Sequence, residues 1–361
     1  MRVVDEEMPE QAPAPGEPSH LSVVQVVRSD AFAGVERYIC QVSNGLAARG
    51  HRVVAVGGDP SRMRAELDGE VRHLPAASMA GAAWALARQR PADVVHVHMT
   101  AAEGAAWLAR PAQRAPIVAT RHFPGSRGST TISRTLARVT SRVVSRDIAI
   151  SRFVADRLEG PSVLLYNGVP DRPQAALAST SALMLQRLTD EKAPEVGLQA
   201  WASSDLGSRG WRLVVAGTGD LRSRMEEAAR TLGITGSVEF AGQVADTDRL
   251  LGDSALLLAP APEEPFGLSV VEAMAHGLPV VAAAGGAHLE TIGGDGLLFP
   301  PGDAAAAAGA LAALADDHAL RRQVGGRLRE RQRRLFSLSR HLDGLEQIYG
   351  DVMLRAGAHR L

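Results

Sequence analysis

The sequence predicts an α/β protein built from two doubly wound parallel-sheet domains that face a cleft. Short apolar runs alternate with amphipathic stretches from Leu21 onward: LSVVQVVRS, then AFAGVERYICQVSNGLAARGH, then RVVAVGG. Strand–helix–strand order of this kind builds parallel sheets covered by helices. The same alternation restarts at Ala182, after DRPQAALASTS (171–181), a proline-containing stretch without periodicity that reads as an interdomain linker. The length of 361 residues, 45% of them hydrophobic, is ample for two cores of roughly 150 residues each.

Composition narrows the functional class. A formal net charge of −1 gives no general reason to expect a nucleic-acid partner. The single cysteine, Cys40, rules out an internal disulfide and reads as a buried helix residue in a reducing, cytoplasmic setting. No run approaches the roughly 18 apolar residues of a membrane span; the closest is Ala304–Ala315. Residues 1–20 are acidic and proline-rich without an apolar core, so they read as a disordered tail and not as a signal peptide.

In chain order, the turn GVER at Gly34–Arg37 leads from the first strand into the first helix. PADVVHVHMT (91–100) is a further strand, with His96 and His98 on one face as polar residues at a strand end. PIVATRHFPGSRG (116–128) is the next, and its loop begins with Arg121 and His122 at the carboxyl edge of the sheet. Between Glu103 and Asp147 the chain holds eight arginines and no lysine or acid. Arg134, Arg138, Arg142 and Arg146 recur every four residues, which on a helix makes a slowly drifting stripe. That stripe reads either as a solvated face or as an acceptor-side patch giving weak peripheral membrane contact. SVLLYNGVP (162–170) closes the first domain.

The second domain opens with ALMLQRLTDEKAPE, in which Arg187 and Lys192 lie five residues apart. WRLVVAGTGDLRSRME is strand, glycine turn at Gly217, and helix; it lacks the third glycine of a dinucleotide fingerprint, which disfavours a dehydrogenase. SVEFAGQV (237–244) is a strand ending at Gly242, just before Val244. Asp246-x-Asp248 sits where a short helix points the two carboxylates about 160° apart, so it reads as a surface pair and not a metal motif. The centre of the chain is LAPAPEEPFGLSVVEAMAHGLPVVAAAGG, a strand, an acidic loop, a helix from Leu268, a second strand and a glycine turn. Its helix start offers unpaired N–H groups and a positive dipole end at the carboxyl edge of a sheet, which suits an anion. Glu264 on the loop and Glu272 one turn into the helix suit hydroxyls held beside phosphates, as in a sugar nucleotide.

PEEPFGLSVVEAMAHGLPVVA resembles the sugar-donor signature of retaining glycosyltransferases of family 4, which have the GT-B fold. The resemblance covers about residues 21–356 and implies a first, acceptor-side domain (21–170), a second domain holding the nucleotide sugar (182–335), and a final helix (336–361) that crosses back onto the first. It implies that Glu264 contacts the donated sugar and Glu272 the ribose, with backbone amides at Phe266, Gly267 and Leu268 approaching sugar and phosphate. Arg187 and Lys192 would bind the diphosphate, and Gly34 would let the chain pass close to it. Gly217 lies in the family's strand-end glycine loop, Val244 faces the base through its backbone, and His122 lies beside the sugar. Two positions depart from the family pattern: Ala33 and Gln186 stand where glycines are usual. The implied activity is metal-independent transfer of a sugar from a nucleoside diphosphate sugar to the hydroxyl of a small-molecule, glycan or lipid-linked acceptor, with no cofactor beyond that substrate. A 2-epimerase, a glycan phosphorylase or a non-catalytic sugar-nucleotide-binding protein could share this fold.

Overall fold

The structure, a computed structural model, describes residues 20–125 and 140–358. The first sheet contains Ser22–Val27 (β1), Arg52–Val56 (β2), Arg72–Leu74 (β3), Val94–His98 (β4), Ile117–Arg121 (β5), Val144–Ala149 (β6) and Val163–Leu164 (β7), in the order β3-β2-β1-β4-β5-β6-β7. The second contains Ser181–Leu185 (β8), Arg212–Ala216 (β9), Val238–Gly242 (β10), Leu256–Ala259 (β11), Val280–Ala283 (β12) and Leu297–Phe299 (β13), in the order β10-β9-β8-β11-β12-β13. Every pairing within both sheets is parallel. In each, strand order reverses beside the first strand of its domain, and such a switch point opens a crevice at the carboxyl edge.

Burial on both faces explains why the strands read as continuous apolar runs. Along β1, Val23 and Val27 join one core while Val24 and Val26 join the other. Gln25 faces the side of Val23 and Val27, as do His96 and His98 on β4 and Thr120 on β5, because side chains alternate along a strand. The register pairs Gln25 with His96 and His98 with Thr120, so these polar groups form one layer on one sheet face.

That layer is covered by the last helix, Leu338–Ala358, which leaves the second domain and lies on the first. Leu342, Leu345, Ile348, Tyr349 and Val352 form its buried stripe within the first-domain core. Gly45 on the first helix, Gly34–Ala48, lets it come close, since a Cβ there would meet Leu342 at 2.6 Å. Gross burial of each such apolar side chain contributes about 1.5–3 kcal/mol.

One expectation is corrected. Arg142 lies in a short 3₁₀ turn, Ser141–Val143, and Arg146 on β6, paired with Val118. The run therefore leaves helical geometry before Arg146, because Val144 to Ala149 supply an edgeward strand that β5 and β7 both pair with. Arg134, Arg138 and the expected tail over residues 1–19 lie outside the described residues.

Candidate sugar-nucleotide site

The loop Pro262–Gly267 after β11 carries the first acidic side chain. Glu264 makes a parallel bridge to Gly286, and its carbonyl accepts from Ala287 N at 2.7 Å. Gly286 takes φ +56° there, and a Cβ would lie 2.4 Å from Glu264 backbone atoms, so only glycine fits. Thus fixed, Glu264 meets Lys192: Nζ lies 2.5 Å from Oε2, with both side chains largely buried. His288 packs beside Gly267 and donates from Nδ1 to Ala283 O at 3.1 Å, and burial lowers its pKa.

Lys192 is held by the residue that departs from the family pattern. Gln186 turns its amide to the Lys192 carbonyl, at 3.1 Å. Close approach at this loop is supplied from the other side, by Gly217 at φ +135°, where a Cβ would lie 1.9 Å from Gln186 O. Arg187 is not drawn into the ion pair with Glu264; it stands half exposed against Glu191 at 2.9 Å. Val244, past the end of β10, is partly buried against the second core.

The helix Leu268–Ala275 begins at Gly267, which takes φ +85°. Phe266 anchors this start, its ring packed between Phe336 (5.8 Å) and Tyr166 (6.4 Å). From the first domain, Ser151 Oγ donates to Pro265 O at 2.6 Å. Gly34 faces the same helix start, where a Cβ would meet Leu268 at 3.6 Å. Loop, helix start and first-domain turn thus share one crevice. Glu272 lies half-buried one turn further on. Burial raises its pKa; the neighbouring charges of Arg37 and Arg172 oppose that rise, and Asp248 adds to it.

Several of these neighbours were not singled out in the sequence. Arg37 donates across the crevice to Thr247 Oγ1. Asp248 takes Arg172 at 3.0 Å and His276 Nε2 at 3.4 Å. Glu290 accepts from the backbone N–H groups of Arg152 and Phe153, at 2.9 and 3.0 Å, and from Tyr166 Oη at 3.0 Å, capping a first-domain helix from the second domain. Pairwise spacing carries no signal for the contacts of Arg37 and Glu290, since each joins residues more than a hundred positions apart.

His122 comes from the first domain, directly after β5. Its ring is buried, set edge-on to Tyr38 at 5.3 Å, and Nε2 lies 3.1 Å from His98 Nδ1. Burial pushes its pKa down to about 3, so the ring is neutral at pH 7. His96 and His98, expected to be unremarkable strand-end residues, are fully buried in the same polar layer. A cavity beside His122 is lined by Met99, Thr100, Thr120, Phe123, Asp147 and Glu159. Its floor holds Arg121 between Glu103 and Asp147, with 2.5 Å to Asp147. Met99 adopts φ 72°, ψ 151° at the cavity wall, a conformation that costs about 1–3 kcal/mol for a side-chain-bearing residue.

This fold and crevice define the GT-B class. Residues 172–331 match the family Glycosyl transferases group 1, and residues 32–172 match Glycosyltransferase Family 4. A phosphatidyl-myo-inositol mannosyltransferase from Mycolicibacterium smegmatis is 30% identical over 268 residues, 67% of this chain and 67% of that one. An exopolysaccharide phosphotransferase from Streptomyces coelicolor is 34% identical over 170 residues, 45% of this chain but only 18% of that protein's length. Anabaena HepE, solved in complex with UDP and glucose, superposes with a TM-score of 0.80 at 18% identity, over 92% of this chain and 100% of that one. The chain belongs to glycosyltransferase family 4. Among the described residues no helix is long and apolar enough to cross a membrane, and no cluster of three or more potential metal ligands forms.

Proposed function

We propose that the chain transfers a sugar from a nucleoside diphosphate sugar to an acceptor hydroxyl, with retention at the anomeric carbon and without a metal ion. The observation that carries this reading is the Lys192–Glu264 pair set beside the helix start at Leu268. A leaving diphosphate there would meet Lys192, Arg187 and the N–H groups of the first helical turn. Fixed positive potential at a growing anionic charge is commonly the largest catalytic contribution. Glu272 and the backbone near Val244 would take the nucleoside, Gly34 and Gly217 would admit the diphosphate, and Glu264 and His122 would flank the sugar. Glu264 is held by Lys192 and so is ill-suited to form a covalent intermediate; the departing phosphate oxygen would instead take the proton of the incoming hydroxyl. Closure of the crevice would keep water from the sugar donor.

The cavity between Phe123, Thr100 and Glu159 is proposed as the acceptor side. Division of Arg142 and Arg146 between a turn and a strand favours a soluble acceptor over a lipid surface, and loss of association with anionic vesicles at all salt concentrations is the expected flotation result. The M. smegmatis relative is named a mannosyltransferase and HepE was solved with UDP and glucose, so hexose nucleotides lead the trial. A thermal-shift series of nucleoside diphosphates and their sugars tests binding, because a ligand taken only by the folded state raises its apparent stability. The anomeric configuration of the product tests retention. Absence of any sugar-nucleotide effect, or products of inverted configuration, would overturn the reading.

A further inference from the structure

We infer that the C-terminal helix fixes the tautomer of His122, through a one-directional chain of hydrogen bonds that leaves His122 Nδ1 as a bare acceptor and makes Gln25, His98 and Tyr349 positioning residues. The Gln25 amide gives the chain its direction, because its nitrogen can only donate and its oxygen can only accept. Gln25 Nε2 donates to Tyr349 Oη, on the C-terminal helix, at 3.3 Å. Tyr349 in turn donates to His96 Nδ1 at 2.7 Å, and His96 Nε2 donates to Thr120 Oγ1 at 2.7 Å. His341 is neutral in the same layer, donating from Nδ1 to the Tyr166 carbonyl at 2.7 Å and accepting at Nε2 from Tyr38 Oη at 2.8 Å. On its other side the Gln25 amide accepts, through Oε1, from His98 Nε2 at 2.7 Å. His98 Nδ1 is left bare and accepts from His122 Nε2 at 3.1 Å.

The assignment requires all four imidazoles to be neutral, since a protonated ring would donate from both nitrogens. Burial lowers the pKa of His96, His98, His122 and His341 alike, with His122 at about 3 and His341 at about 4. No hydrogen bond among the described residues engages His122 Nδ1, and the ring lines the cavity. His122 therefore presents an acceptor, suited to a hydroxyl that donates, and it has no proton to give on that side. Sugar hydroxyls are such groups; this last step rests on the proposed glycosyl transfer, whereas the tautomer does not.

Selective ¹⁵N labelling of histidine in the full chain, read by long-range ¹H–¹⁵N correlation at pH 7, distinguishes a protonated from a bare ring nitrogen. The expected wild-type result is one tautomer for His122, protonated at Nε2. A proton on Nδ1, or an imidazolium, overturns the inference whether or not the protein transfers sugars. Gln25→Met removes the acceptor of His98 Nε2–H and frees His98 to donate from Nδ1. Both His98 and His122 should then exchange tautomer or become mixed, and kcat should fall roughly tenfold to a hundredfold while KM for the sugar nucleotide changes less. An unaltered His122 tautomer in Gln25→Met overturns the relay. A shifted tautomer with unchanged kcat would retain the relay but remove His122 from the sugar site, which separates this inference from the functional reading.

Discussion

Lys192 and Glu264, seventy-two residues apart, meet at 2.5 Å across the loop between β8 and the helix Pro194–Ser203 on one side and the loop after β11 on the other. Each lies at the carboxyl edge of its strand, and the adjacency of β8 and β11 brings the loops together. Lys192→Met should therefore act on both stability and chemistry. Removing one partner of a charge-assisted bond costs about 1–3 kcal/mol, and turnover should fall roughly 10² to 10³. Arg187→Ala, at an exposed position, should lower turnover with a change in stability within about 0.5 kcal/mol. Thermal unfolding and steady-state kinetics on the two variants check both; near-normal turnover in either removes that residue from the mechanism.

Glu272 should show the reverse balance. Its carboxylate is desolvated in the folded state, which raises its pKa, so the ionised form is less favourable folded than unfolded. This contribution becomes more unfavourable as pH rises above the ordinary carboxylate range. Glu272→Gln should thus leave stability at pH 7 unchanged or slightly higher while weakening nucleotide-sugar binding. Calorimetric titration beside thermal unfolding decides it, and an unchanged affinity would remove Glu272 from the ribose.

Acid should unfold the first domain early. His122 and His341 have folded pKa values near 3 and 4, below the unfolded value of about 6.5. Unfolded rings take up protons as pH drops below about 6.5 while folded ones do not, so stability falls from there downward. Each of these two costs about 3 kcal/mol by pH 4, and His96 and His98 shift in the same direction. Thermal midpoints should drop steeply from pH 6 to pH 4. A flat profile over that range would mean that the histidines are not held neutral.

Arg121 should tolerate no neutral replacement. It stands buried between Glu103 and Asp147, and Arg121→Met would remove the guanidinium that bridges those two carboxylates. The expected loss is about 1–3 kcal/mol. Lysine should restore only part of it, because it lacks the planar fork that serves both acids. Denaturant unfolding of the two variants measures this.

Activity should persist in the presence of a chelator, since Arg187, Lys192 and the helix start are proposed to neutralise the diphosphate. Complete loss with chelator, restored by a divalent ion, would overturn the metal-free reading.

The strands and the glutamate-bearing unit were legible because both are local: apolar runs of four to six residues, and a helix start with glycine at its cap. Arg146 was misread because a four-residue arginine period mimics a helix, whereas VSRDIA is a strand by virtue of its pairing with β5 and β7, which no local pattern announces. The polar layer was not legible. His96 and His98 look like strand-end residues until Tyr349 arrives from 253 positions away to bond the first of them. The placement of Glu290 as a cap on the helix Arg152–Ala155 is equally nonlocal, set by how two domains dock and by no spacing within either.

The helix Leu338–Ala358 has a consequence for biosynthesis. It follows the whole second domain in the chain, yet it supplies a wall of the first. A nascent chain must therefore hold β1, β4 and the helix Gly34–Ala48 with an apolar face open to solvent while some hundred and fifty further residues are made, at about 5–20 residues per second. The second domain meets no such delay. On the ribosome the later half should become protease-resistant before the earlier half does, and the first half should be the one that engages chaperones.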